Sequence, residues 1–304
     1  MVDFWDGKGV LITGIGGFVG GYLAEELAGR GAEVFGVELK PGPSKFKTSR
    51  CDITSSGALE RITKRTKPDI IFHLAAQTDV QGSFKDPEET YRINLLGTEN
   101  VLKAAGKIDA RVLFASTSEV YGNPERLPVR EGDGIAPLSP YAISKAMGEQ
   151  LCRFYTGAYD LSTVVTRAFN HMGPNMPGRY VFSSICRQVA DVYGGRSDHL
   201  SLGNIDAERD FVDVRDVVKA YALVVEKGDG IYNVCSNKKI SVRDLAKKAL
   251  DLYGLKAEIR SDESKVKDVE VSVMLGDNSK IKKLGWRPGI DVEESLRDSM
   301  KDLI

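Results

Sequence analysis

Tyr141 and Lys145 stand four positions apart in SPYAISKAMGEQ (139–150). In a helix that spacing sets both side chains on one face, one turn apart. A phenol beside an ammonium is a proton donor or acceptor suited to sugar and alcohol chemistry. The phenol starts near pKa ~10. A positive charge at ~4 Å and an effective dielectric of ~20 is worth up to ~4 kcal/mol, enough to lower it by at most ~3 units. A tyrosine and lysine at this spacing also occur by chance on solvent-facing helices, so the meaning of the pair rests on its surroundings.

Those surroundings begin with a short apolar strand, KGVLIT (8–13), then Gly14-Ile15-Gly16-Gly17-Phe18-Val19-Gly20 and an amphipathic helix, GYLAEELAGRG (21–31). Strand, glycine turn and helix follow in the order a dinucleotide site requires. Gly14, Gly17 and Gly20 allow the tight turn and let backbone amides approach a pyrophosphate, with Phe18 and Val19 opening the helix that faces it. The next strand, AEVFGVE, ends at Glu38, where a carboxylate can hold an adenosine ribose. Such a carboxylate accepts from a free 2′-hydroxyl and repels a 2′-phosphate. NAD(H) is therefore favoured and NADP(H) is possible, because Lys40 follows two residues on.

The positioning elements alternate strand and helix. KTSRCDI supplies a third strand that leads to Asp52 and Ile53, at the adenine end of such a site; Asp52 reads equally as the cap of the helix SSGALERITKRT. DIIFHLAAQ is a fourth strand that runs into Leu74, Ala75, Ala76 and Gln77, where small side chains would let a cofactor lie against the backbone. His73 within it reads as a core or loop-anchoring histidine. DPEETYRINLLGTENVLKAAGK (86–107) reads as one long helix capped by Asp86, with Asn94 on it. ARVLFASTSEVYG is a fifth strand ending at Ser116, Thr117 and Glu119. The expected fold is α/β: a Rossmann-like, doubly wound parallel sheet whose ligand crevice lies beyond the carboxyl ends of its strands, with a smaller C-terminal α/β substrate lobe.

Composition narrows the class. The 304 residues carry 42 basic and 43 acidic side chains, so nothing marks a nucleic-acid partner. No apolar run is long enough to span a membrane, and MVDFWDGKG has no signal-peptide core. Cys51, Cys152, Cys186 and Cys235 are scattered without metal-type spacing, as expected of a cytoplasmic protein with no metal.

At this point the chain resembles the extended short-chain dehydrogenase/reductases, specifically the nucleotide-sugar epimerase/dehydratase/reductase group. The resemblance spans essentially the whole length. It is carried by TGIGGFVG, HLAAQ, NLLGT, STSEVYG, PYAISK, RAFNHMGP, RDFVDVRDVV, YNVCS and LGWRP. RAFNHMGP, LGNIDAERDFVDVRDVVKAY and IYNVCS look most like its GDP-sugar branch. Within it, QTDVQGSFKDPEETYRINLLGT and the chain length are similar to the reductases of GDP-4-keto-6-deoxy-mannose.

The resemblance implies a division into a cofactor domain over 1–168, with 207–238 and 289–304 returning to it, and a nucleotide-sugar lobe over 169–206 and 239–288. It implies a catalytic set of Thr117, Tyr141 and Lys145, with Asn94 steadying the active-site helix on the cofactor side. Gln77, Ser116, Asn170, Tyr180, Val181, Arg209 and Glu270 would meet a nucleotide-diphosphate sugar, a GDP-sugar by preference. The family arginine and proline near Glu270 are replaced by Lys267 and Asp268. The implied reaction is NAD(P)H-dependent reduction of the C4 ketone of a GDP-4-keto-6-deoxy-hexose. Glu119 stands where related 4,6-dehydratases keep the base that removes the C5 proton, so a GDP-mannose 4,6-dehydratase is the alternative, as is a nucleotide-sugar 4-epimerase. The short stretch between Glu38 and Asp52 disfavours the dehydratase. A non-catalytic NAD-sensing module is disfavoured because tyrosine and lysine are both present. The helices over 91–107 and 142–159 carry apolar residues on more than one face, and relatives pair these helices into a dimer seam, so a homodimer is expected.

Overall fold

A computed structural model describes residues 3–266 and 271–304. Strand β1 (Gly9–Thr13) feeds helix α1 (Phe18–Gly29) through the glycine turn. Then follow β2 (Glu33–Glu38), β3 (Lys47–Arg50), α2 (Ser56–Thr66), β4 (Ile70–His73), α3 (Val80–Lys85), α4 (Pro87–Tyr91), α5 (Gly97–Gly106), β5 (Arg111–Thr117), α6 (Pro140–Tyr159) and β6 (Thr163–Ala168). The second half contributes β7 (Asn170–Met172), α7 (Val181–Tyr193), β8 (His199–Leu202), β9 (Glu208–Asp213), α8 (Val214–Lys227), β10 (Gly230–Val234), β11 (Lys239–Ser241), α9 (Val242–Asp251), β12 (Glu258–Ser261), β13 (Val273–Met274), α10 (Ser279–Lys283) and α11 (Val292–Met300).

Seven strands form one sheet in the order β10-β6-β5-β4-β1-β2-β3, every neighbouring pair parallel. Val10, Leu11 and Ile12 of β1 are fully buried, as a strand covered by helices on both faces must be. Strand order reverses between β1 and β4, so a crevice opens at the carboxyl ends of these strands. The glycine turn follows β1, Glu38 ends β2, Leu74 follows β4 and Thr117 ends β5. All of them therefore converge on that crevice.

The smaller lobe has its own apolar core, built from Met172, Phe182, Ile185, Leu200, Phe211, Leu245 and Leu250 among others. β11, β9 and β13 form a short sheet that β7 joins through β9, and β8 pairs with β12. The lobes are cut differently from the sequence expectation. Leu296 and Met300 of α11 pack into the small-lobe core, and Arg215 pairs with Asp298 at 2.6 Å. Arg215 lies on α8, and Asp216 beside it accepts from the Gly289 and Ile290 amides, so residues 289–304 touch the large-sheet helix α8 while the apolar face of α11 packs into the small-lobe core. Conversely, Ile281, Leu284 and Trp286 pack against α8 and β10 on the large sheet, although they fall in the stretch assigned to the lobe. Within 207–238, α8 and β10 do return, whereas β9 belongs to the lobe. These short amphipathic helices bury one face each, and periodicity does not say against which core.

The helix expected over 86–107 is broken. Asp86 caps α4, accepting from the Glu89 amide at 3.0 Å, and a wide π-helical turn over Arg92–Leu96 separates α4 from α5. That turn carries Asn94, the position where such bulges concentrate function.

Candidate active site

Ser139 fixes the start of α6: its Oγ accepts from the Ala142 amide at 3.1 Å, and Pro140 occupies the first turn. Tyr141 therefore sits at the open end of the helix and Lys145 one turn deeper. Lys145 Nζ donates to the Ala115 carbonyl at 2.9 Å and lies 5.0 Å from the Phe114 ring centroid. Burial pulls its ammonium down to about 8. The Thr117 hydroxyl faces the Tyr141 phenol across the crevice and favours its ionised form.

The sequence argument expected the Lys145 charge to bring the phenol into the neutral range. Among the protein's own groups the balance runs the other way. Burial first, and the Glu119 carboxylate second, push the phenol above its ordinary value. The lysine is drawn toward the β5 carbonyl, with Nζ 6.0 Å from the centroid of the tyrosine ring.

One cavity of about 1720 Å³ gathers Gly14 to Gly21, Glu38, Asp52, Ile53, Leu74 to Gln77, Ser116, Thr117, Glu119, Tyr141, Lys145, Asn170, Tyr180, Val181 and Arg209. Pockets for one small ligand measure roughly 300–1,000 Å³. This one has room for two ligands end to end.

The cofactor end fits a dinucleotide. Gly14 has φ +74°, and a Cβ there would lie 3.0 Å from the Ala75 backbone. A Cβ on Gly20 would lie 2.2 Å from the Gly14 carbonyl oxygen. Helix α1 has no side-chain cap at Gly17, so its first-turn amides are offered to an anion. The Glu38 carboxylate accepts from the Gly16 and Leu39 amides, both at 3.1 Å, which anchors it at the end of β2. Asp52 does not cap α2. It accepts from the Thr54 amide at 2.9 Å and hydroxyl at 2.7 Å, and its exposed carboxylate lines the cavity.

Several candidates stand elsewhere than expected. Asn94 lies beneath the cavity wall: its Oδ1 accepts from the Gln77 amide at 2.8 Å, and its Nδ2 donates to the Gln77 carbonyl at 3.0 Å and to Ser144 Oγ at 2.8 Å. It joins the loop after β4 to α6 and leaves no polar atom for a cofactor. Ser116 lines the cavity, yet its hydroxyl donates to the buried Glu149 carboxylate rather than waiting for substrate. Gln77 likewise spends its side-chain amide on Asp79 and Thr90. Asp213 caps α8 and Asp216 accepts from the Gly289 and Ile290 amides, so both are anchors. Glu270, with Lys267 and Asp268, lies outside the described residues.

His73 is buried between two hydroxyls, Thr13 at 2.9 Å and Thr98 at 3.0 Å, and burial pushes it down to about 3, so it is a neutral anchor. Three groups were missed. His171 lines the cavity, and its buried Nδ1 has no protein partner. Burial lowers it to about 4, so a neutral imidazole is offered to a ligand. A histidine directly after Asn170 in RAFNHMGP was the available signal. Arg179 lies over the Tyr180 ring at the cavity rim and donates to Tyr180 Oη at 3.0 Å and to Thr78 Oγ1 at 3.3 Å across the crevice. Glu149 and Arg167 form a buried pair behind Ser116 that no local pattern announces. Among the described residues, no group of three or more His, Cys, Asp or Glu could hold a metal ion, and no helix is long and apolar enough to cross a membrane.

The sequence profile of the family described as GDP-mannose 4,6 dehydratase matches residues 11–299. GDP-6-deoxy-D-mannose reductase of Pseudomonas aeruginosa is 34% identical over 301 residues, covering 96% of this chain and 96% of that protein. Among solved structures, that of RMD from Pseudomonas aeruginosa complexed with NADPH superposes with a TM-score of 0.86 at 32% identity, covering 97% of this chain and 98% of that one. UDP-glucose 4-epimerase of Thermus thermophilus, solved with NAD, superposes with a TM-score of 0.88 at 29% identity, covering 97% and 98%.

Proposed function

Since the chain belongs to the GDP-mannose 4,6 dehydratase family, we propose that it reduces the C4 ketone of a GDP-4-keto-6-deoxy-hexose to the alcohol. The observation that carries this reading is the placing of Thr117, Tyr141 and Lys145 together at the edge of a cavity with room for a dinucleotide and a nucleotide sugar. When bound, a reduced nicotinamide supplies the hydride. Thr117 orients the C4 oxygen. Tyr141 gives it a proton as it becomes an alcohol, so no free alkoxide forms. Its raised pKa suits a donor, because the phenol keeps its proton at neutral pH. Lys145 holds the nicotinamide ribose, and its charge balances the phenolate left after transfer. The glycine turn and the open start of α1 hold the pyrophosphate, and Glu38 holds the adenosine ribose.

Asn170, Tyr180, Val181 and Arg209 line the substrate end. An arginine fork there suits a diphosphate, as in the GDP sugar named for the Pseudomonas relative. Glu38 favours NADH, although the neighbouring structure was solved with NADPH. The connection from β2 to β3 runs only over residues 39–46, which leaves no long insertion for the dehydratase reading. The four cysteines are reduced and buried, consistent with the cytoplasm. Exposed Met147, Phe154 and Tyr159 along α6 favour a homodimer through this helix.

The test is turnover. The purified protein should consume NADH stoichiometrically with GDP-4-keto-6-deoxy-mannose, and Tyr141→Phe should stop this while NADH still binds. Turnover of GDP-mannose without added reductant would instead identify a dehydratase. Interconversion of UDP-glucose and UDP-galactose would identify an epimerase.

A further inference from the structure

Tyr141, Lys145 and Glu149 stand at i, i+4 and i+8 on α6 and share one face of the helix. Each engages one of the last three residues of β5. Tyr141 meets the Thr117 hydroxyl, Lys145 donates to the Ala115 carbonyl, and Glu149 accepts from Ser116 Oγ. The third contact is not a loose surface bond. Ser116, Glu149 and Arg167 are 5%, 4% and 4% exposed. Ser116 and Arg167 are register partners on adjacent strands, so strand pairing brings both side chains to Glu149. Arg167 grips the carboxylate with both arms, Nε to Oε1 at 2.9 Å and Nη2 to Oε2 at 2.7 Å.

The grip is itself braced. The Arg167 guanidinium lies 4.8 Å from the Tyr121 ring centroid and donates to the Glu131 carbonyl at 3.2 Å. Tyr121 Oη donates to Asn233 Oδ1 at 2.7 Å, and Asn233 Nδ2 donates to the Val129 carbonyl at 3.0 Å. Six segments (β5, the turn over Ser118–Tyr121, α6, β6, the loop at 129–131 and β10) thus gather around one buried carboxylate. Replacing a buried ion pair with apolar packing is often neutral or stabilising. Stability alone therefore gives no reason to keep charges here, directly behind the reacting hydroxyls.

We propose that Ser116, Glu149 and Arg167 form a positioning unit that sets the register of α6 against the end of β5, and so the contact between Thr117 and Tyr141. Glu149 acts as a positioning residue: it touches neither cofactor nor sugar and works through Ser116, the chain neighbour of Thr117. The inference rests on the proton-transfer role given above to Thr117 and Tyr141.

Two variants test it. Ser116→Ala deletes the link but leaves the Glu149–Arg167 pair whole, so no buried charge is stranded and folding is spared. Glu149→Gln keeps an acceptor for Ser116 and removes the two-armed grip. Crystal structures of both variants should show the Thr117 hydroxyl and the Tyr141 phenol displaced relative to one another, compared with the unaltered protein. With GDP-4-keto-6-deoxy-mannose and NADH, kcat should fall by about tenfold or more, on the scale at which a 1 Å misplacement costs about 10²-fold. KM for the sugar and the dissociation constant for NADH should hardly move, a split that general loosening of the fold would not produce. An unchanged placing of Thr117 against Tyr141 in both structures overturns the proposal, as does an unchanged kcat in Ser116→Ala. If the unaltered protein leaves this substrate untouched, the functional reading fails, and the two crystal structures still decide the positioning claim.

Discussion

Neutralising Glu119 separates the two chemistries this site could run. Glu119 is half-buried in the short turn over Ser118–Tyr121, lines the cavity and raises the Tyr141 phenol second only to burial. Tyr180 and Tyr221 push the same way and the Thr117 hydroxyl opposes them. A unit charge at roughly 6 Å and an effective dielectric of ~20 is worth about 3 kcal/mol, or about 2 pKa units before solvent screening. Glu119→Gln should therefore lower the phenol by about one to two units. The sign follows from the role. In reduction Tyr141 donates, so activity is present below its pKa and disappears as pH rises through it. The alkaline limb of kcat should move to lower pH in the variant, while turnover near neutrality survives. The assay is NADH consumption with GDP-4-keto-6-deoxy-mannose across pH, in the unaltered and variant proteins. A limb that stays put or moves up would refute the electrostatic argument. Loss of turnover at every pH, with NADH binding intact, would make Glu119 an obligate proton carrier and sink its assignment as a tuner.

Three further outcomes follow from the same geometry. His73 is held neutral in the fold, down to about 3, against about 6.5 in an unfolded chain. Between those values the unfolded state binds the extra proton, so stability falls as pH falls, by about 1.4 kcal/mol per pH unit. His171, lowered to about 4, adds to this slope, and Asp210, raised to about 6 by burial, opposes it below that pH. Urea melts of His73→Gln should show a slope smaller by that one-proton amount between about pH 6 and 4, and an unchanged slope would contradict a neutral, buried imidazole. Glu38→Ser removes the carboxylate that would face a 2′-phosphate, so the kcat/KM ratio for NADPH over NADH should rise about tenfold or more; a constant ratio would move the selectivity elsewhere. Gly20→Ala places a methyl 2.2 Å from the Gly14 carbonyl oxygen, where neither side is a flexible chain. Overpacking of about 1–3 kcal/mol should spread through the phosphate turn and weaken NADH binding by a similar amount, read by titration.

The fold was legible because its signals are local. A strand, a glycine turn and a helix are written contiguously over residues 8–31, and the parallel sheet follows from helices alternating with apolar strands. That Tyr141, Lys145, Thr117 and Glu38 line one cavity was readable for the same reason: each sits at or near the end of an element whose limits its own neighbours set. Less legible were the partners that local reading cannot see. Ser116 looks like one more hydroxyl at a strand end until Arg167, 51 positions on by number, is paired beside it through β6. The π-helical turn at Arg92–Leu96 breaks a segment with unbroken helical periodicity, because Asn94 must reach both the loop at Gln77 and Ser144 on α6. The final helix misled for a related reason. Its amphipathic face fits either core, and only the packing of Leu296 and Met300 says which core buries it, since the Arg215–Asp298 pair ties the same helix to α8.

The reversed shift on Tyr141 belongs to the same class, and it bears on the chemistry. Spacing along one helix puts an ammonium near a phenol, but it cannot say that the β5 carbonyl of Ala115 draws that ammonium away, nor that Glu119 faces the phenol from another element. A donor needs its proton until the ketone oxygen gains charge, so a phenol held above its ordinary value is already matched to reduction. An oxidation at the same site would need the phenolate and would have to overcome both burial and Glu119. A 4-epimerase must run both directions at one tyrosine, and for it this balance is a handicap in one half of the cycle. The electrostatics of Tyr141 therefore suit a proton donor, the role that reduction gives it.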